Sequence, residues 1–81
     1  MTKKQMIRLL KQDCPDFVCT PDSLAMNCEI TSVDSAGYVL ELQVGNQMIS
    51  GEEFRYALNL PSACFKIAFE GKQVRLTVYG Q

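Results

Sequence analysis

A chain of 81 residues has room for one domain, near the lower size at which a single core holds without staples. Eight basic against nine acidic side chains leave a net charge of -1 and no basic stripe for phosphates, which argues against a nucleic-acid partner, while a hydrophobic share of 47% argues against disorder. Histidine is absent, which excludes a Ser-His or Cys-His couple within these residues, and no apolar run reaches the roughly 18 residues of a membrane span.

The first element is an amphipathic helix. Thr2 suits its N-cap with Gln5 completing a capping box, Met6, Ile7 and Leu10 fall on one face, and Lys3, Lys4, Arg8 and Lys11 cover the other. Pro15 disfavours helical geometry in the residue before it, so the helix should fail near Cys14. Its basic residues precede no long apolar stretch or small-residue cleavage site, so this is not a signal peptide, and an exported parent would carry its targeting segment elsewhere. Residues 14–27 read as a packed loop, with one helical turn around Pro21–Ala25 capped by Thr20.

Cys28–Asp34 reads as a strand, Asp34-Ser35-Ala36-Gly37 as a turn, and Tyr38–Val44 as a second strand. Alternation places Tyr38, Leu40, Leu42 and Val44 on one buried face and Glu41 and Gln43 on the wet one. Gly45-Asn46 turns the chain into a short extended segment, Gln47–Ile49. Ser50 and Glu53 then form a second capping box, strengthened by Glu52 and Glu53 in the first helical turn. Phe54, Ala57 and Leu58 face inward, Arg55 and Tyr56 outward, Asn59 suits a left-handed cap, and Pro61 prevents continuation. Finally, Phe65, Ile67 and Phe69 and then Val74, Leu76 and Val78 alternate with polar neighbours around Gly71-Lys72, a hairpin expected to end at Tyr79-Gly80-Gln81. The expected fold is α+β: a small domain with two short helices packed on one face of antiparallel β-hairpins. Residues 1–27 form a lead-in helix and loop and residues 28–81 the α+β module, together one domain.

Candidate chemistry is sparse. Cys14, Cys19, Cys28 and Cys64 are enough in number for a closed zinc site, but the close-spaced pairs that would specify one are missing; free, mostly buried thiols are favoured over zinc or disulfides. Glu52 and Glu53 belong to a helix start, and Asp13, Asp16, Asp22 and Asp34 to turns or caps. Nothing marks two of them as a converging catalytic pair. No catalytic, cofactor-binding or metal residue is assigned, and no cofactor is expected. Arg55 and Tyr56 are the candidates for a ligand or domain contact, against the reading that they form a solvated helix face.

One stretch goes further. Gly51, Arg55, Leu58, Leu60 and Ser62, followed by Phe65, Ile67, Val74 and Leu76, resemble the "G-x-x-x-R-x-x-L-x-L-x-S" helix and turn, with its following hairpin, of the stage II sporulation protein D family of bacterial cell-wall proteins. The likeness covers roughly residues 28–81, with the first 27 residues matching only as a variable lead-in. In that family the last strand leads into a glycine- and histidine-rich loop, and Thr77-Val78-Tyr79-Gly80-Gln81 looks like the approach to it.

The resemblance implies a parent that is a peptidoglycan lytic transglycosylase or an enhancer of wall amidases, extracytoplasmic, acting on glycan strands. The family's acidic catalytic residue and its Gly-His loop match no position here, so the expectation is a catalytically silent portion that supports the catalytic region or walls a glycan groove. Its partners would be the remainder of the parent enzyme and glycan strands, with no nucleic acid and no membrane span in this portion. Four cysteines sit awkwardly with export, a tension that buried thiols relieve. The alternative is a free-standing protein–protein interaction module using a sheet edge or the outer face of the second helix; a zinc-stabilised module is a third reading.

Overall fold

A computed structural model describes residues 1–79. The fold is α+β, with three helices and two antiparallel sheets among the described residues. Helix α1 (Lys3–Asp13) starts at the Thr2–Gln5 capping box: the Gln5 amide donates to Thr2 Oγ1 at 3.1 Å and the Thr2 amide to Gln5 Oε1 at 2.8 Å. It ends at Cys14, directly before Pro15. Helix α2 (Pro21–Leu24), capped by Thr20, continues into a 3₁₀ turn at Ala25–Asn27. Its expected single turn is therefore present and runs slightly longer.

Strands β1 (Cys28–Val33), β2 (Val39–Val44) and β3 (Gln47–Ser50) form the larger sheet in that order. The extended segment after Gly45-Asn46 is thus a paired strand. Helix α3 (Gly51–Leu58) follows directly, and β4 (Phe65–Glu70) and β5 (Gln73–Val78) make the second sheet. Gly45 and Gly71 occupy the first central position of their two-residue turns with φ of 59°, where the left-handed region that such hairpin turns need is open to glycine. The expected continuation of the last strand through Gly80 and Gln81 lies outside the described residues.

The buried face of β2 differs from strict alternation. Val39, Leu42 and Val44 are buried, whereas Leu40 is 51% and Tyr38 39% exposed. The cause lies in the pairing with β1. Ile30 faces Leu42, then Ser32 faces Glu41 and Val33 faces Val39, so Thr31 on one strand and Leu40 on the other are extra residues. An extra residue inverts the period of two, exchanging Leu40 for Val39 on the core side.

The N-terminus joins the second sheet. Thr2 bridges Gln73 in antiparallel fashion, the Val74 amide donates to the Met1 carbonyl at 2.8 Å, and the Lys3 amide donates to the Lys72 carbonyl at 2.9 Å. The larger sheet is also tied to the segment leading into β4, where the Val39 amide donates to the Ala63 carbonyl at 2.9 Å. Between them lies one apolar cluster. Met6 and Leu10 from α1, Leu24 from α2, Leu42 and Val44 from β2, and Phe54 from α3 are its most deeply buried side chains. Phe54 stacks on Phe65 with ring centroids 5.0 Å apart. Each such side chain contributes roughly 1.5–3 kcal/mol by leaving water. Phe17 joins the cluster from the loop that carries no regular structure.

Candidate functional site

The residues of the helix-and-turn pattern fix both ends of α3, its start against β2 and its end ahead of β4. Gly51 packs on Val39 so closely that a Cβ there would overlap the Val39 carbonyl. Ser50 Oγ accepts from the Glu53 amide at 3.0 Å and Glu53 Oε1 accepts from the Ser50 amide at 3.0 Å, closing the expected capping box. Leu58 is buried, and Asn59 takes the left-handed cap with φ of 57°. Ser62 Oγ accepts from the Cys64 amide at 3.0 Å just before β4 begins.

Arg55 and Tyr56, the expected contact residues, are adjacent but differently employed. The Arg55 Nε donates to Glu52 Oε1 at 3.1 Å and its Nη1 to the Leu60 carbonyl at 3.1 Å, so the guanidinium folds back over the helix end and ties down the turn. Tyr56 is 77% exposed and has an unencumbered ring. Both line a shallow groove of about 380 Å³ between the end of α1 and the start of α3, together with Asp13, Cys14, Glu52 and Glu53. The Cys14 thiol pKa is raised, chiefly by burial and then by the Glu53 and Asp13 charges. An exposed ring flanked by carboxylates is able to stack on a sugar face while accepting hydroxyl hydrogen bonds. It is poorly arranged for acid–base work, since Glu52 is held by Arg55 and Glu53 by the helix cap.

No polar or charged residue among the described ones is buried, so no carboxyl there lies in the apolar setting that tunes a catalytic acid. Nor do three or more Cys, Asp or Glu side chains converge in a metal-holding group among the described residues. No helix among them is long and apolar enough to cross a membrane.

A second hollow, of about 560 Å³, lies where the start of α1 meets the β4–β5 turn, and brings Lys3 and Lys4 to Lys72 opposite Asp22. Lys72 is distant in sequence from Lys3 and Lys4, and only the pairing of the N-terminus with β5 unites them; no local pattern announces it. The outer face of the second sheet is polar. Arg75 pairs with Glu70 at 2.9 Å, and Lys66 Nζ lies 5.8 Å from the Tyr79 ring centroid. No protein-family model matches this chain, and no curated protein matches it significantly.

Proposed function

We propose that the chain is a non-catalytic portion of a peptidoglycan lytic transglycosylase of the stage II sporulation protein D type, acting outside the cytoplasm to hold the catalytic region in place and to wall its glycan groove. The observation that carries this reading is the employment of the pattern residues. Gly51 seats the start of α3 against Val39 of β2, Leu58 is buried in the core, and Arg55 and Ser62 secure the passage from α3 into the hairpin, structural roles such as a scaffold motif should have. A pattern retained for chemistry would instead aim polar groups into a cleft. Tyr56 on α3 and Tyr79 beside Lys66 supply exposed rings suited to a glycan's apolar faces.

Two measurements test the proposal. Reading the coding sequence on both sides of this segment should find a Gly-His-rich loop after Gln81, and a gene lacking it sinks the enzyme assignment. Titrating the labelled chain with glycan strands stripped of stem peptides should move the backbone amides of residues 50–58 and 72–79. If those amides stay still, the groove-wall role is lost. The rival reading, an interaction module, draws on Leu40 and Met48, which are exposed on neighbouring strands of the larger sheet.

A further inference from the structure

The four cysteines are free thiols in half-buried positions rather than fully buried ones, and they fall into three separate settings. Cys14 lies against α3, where Glu53 and Asp13 reach it. Cys64 precedes β4, its Sγ 3.7 Å from where a Cβ on Gly37 would stand. Cys19 and Cys28 share the third setting, the two-residue turn Gly45-Asn46 between β2 and β3.

Both ends of the segment from Cys19 to Cys28 are pinned to that turn. The amide of Val18, the residue before Cys19, donates to Asn46 Oδ1 at 2.8 Å. The carbonyl of Asn27, the residue before Cys28, accepts from the Gly45 amide at 2.7 Å. Asn46 Nδ2 adds a bond of 3.2 Å to the Asp16 carbonyl. A Cβ on Gly45 would come within 3.0 Å of Cys19 Cβ, and Cys28 pairs directly with Val44, the residue before Gly45. The chain between them, α2 with its 3₁₀ turn, therefore leaves the turn and returns to it.

We propose that Cys19 and Cys28 are a disulfide-forming pair, which closes the α2 segment into a covalent loop when the chain meets an oxidised low-molecular-weight disulfide or a disulfide exchange protein. Cys19, whose Sγ has only long contacts to the Thr20 carbonyl at 3.4 Å and Ser23 Oγ at 3.7 Å, is the attacking thiol. Its thiolate attacks one sulfur of the external disulfide, forming a mixed disulfide and releasing one carrier thiol. The Cys28 thiol then gives up its proton to water and attacks the Cys19 sulfur, releasing the second carrier thiol. Two protein thiols are oxidised and one carrier disulfide is reduced to two thiols. Burial, the larger cause of the raised Cys28 thiol pKa, persists once Cys19 carries the adduct, so the second step quickens with pH. The inference stands apart from the wall-enzyme reading, since it requires only an oxidant.

The test is incubation of the reduced full chain with oxidised glutathione, followed by digestion and mass mapping of the cross-linked peptides. The expected product joins Cys19 to Cys28, leaves Cys14 and Cys64 alkylatable, and halves the free thiol count. A Cys14→Ser/Cys64→Ser double variant should form the same bridge, whereas Cys28→Ser should stop at the glutathione adduct on Cys19. Folding and the bridge favour one another by linkage, so the bridge should be about tenfold or more harder to reduce in the native chain than in urea. A Cys14–Cys19 bridge in the native chain, adducts without any bridge, or equal reducibility in urea would each overturn the assignment.

Discussion

At Gly51 the constraint is space, whereas at Gly71 it is conformation. A Cβ on Gly51 runs into the Val39 carbonyl, which is backbone and cannot swing aside, and a Cβ on Gly71 meets nothing within 4 Å but must accept φ of 59°. Gly51→Ala should therefore cost about 2–3 kcal/mol, as overpacking against a fixed neighbour does. Gly71→Ala should cost about 1 kcal/mol, the usual expense of the left-handed region for a residue with a Cβ. Urea unfolding midpoints of the two variants give the comparison, and equal losses would remove the close approach from the account of α3. Cys28 offers a second test at this scale. Its pKa is raised from 9.0 to about 12 in the fold, by burial first and the Cys19 charge second. Below the ordinary value folded and unfolded chains both hold the proton. Between 9.0 and about 12 the unfolded chain has lost it and the folded chain has not, so stability present at lower pH declines across that window. Cys28→Ala should flatten the decline, measured by denaturation at stepped pH under reducing conditions. A slope unchanged by the substitution would mean that other groups carry it.

Helix α3 shows how far elements are legible in the residues that compose them. Its capping box, its left-handed Asn59 and its arrest before Pro61 are all satisfied within a few residues of one another, and each was expected from the sequence. Ser50→Ala should accordingly cost about 1 kcal/mol, with Ser50→Asp recovering most of it because aspartate accepts the same amide. Circular dichroism melts would register both, and an Asp variant as weak as the Ala variant would show that the hydroxyl does something besides capping. The two glycine turns were legible for the same local reason. The buried face of β2 was not, because the extra residues Thr31 and Leu40 are a property of two strands in register, invisible in either alone. Arg55 was placed outward by helical spacing, correctly for its Cα. However, its long side chain bends back to the Leu60 carbonyl, a choice made by an unsatisfied helix end rather than by periodicity. The cysteine pairing was equally hidden. Four cysteines permit three complete connectivities from sequence alone, and the selection of Cys19 with Cys28 comes from Asn46 and Gly45, more than 15 residues further on.

At the scale of the whole fold, the two sheets share no ladder among the described residues and depend on a narrow joint. The Val39 amide to Ala63 carbonyl bond, the Met1–Lys3 segment along β5, and the stack of Phe54 on Phe65 are what couple them. The aromatic stack lies within the apolar cluster that holds α1 and β2, so it links β4 to the rest by packing. Phe54→Ala removes the ring and leaves a cavity, for an expected loss of about 3–5 kcal/mol, enough to unfold a domain of this size. Phe54→Leu is the more informative change, since it keeps much of the apolar volume and loses the stack. In the unsubstituted chain, the amides of Leu42 in β2 and of Arg75, paired with Ala68 across the β4–β5 ladder, should exchange with solvent at nearly one free energy, because neither sheet persists without the shared core. In Phe54→Leu the second sheet should open more readily than the first, so that the Arg75 amide exchanges ahead of Leu42. Equal acceleration of both amides would show that the polar joint at Val39 and Met1 is sufficient to keep the sheets together. A hairpin held this way is positioned by the core rather than by its own turn.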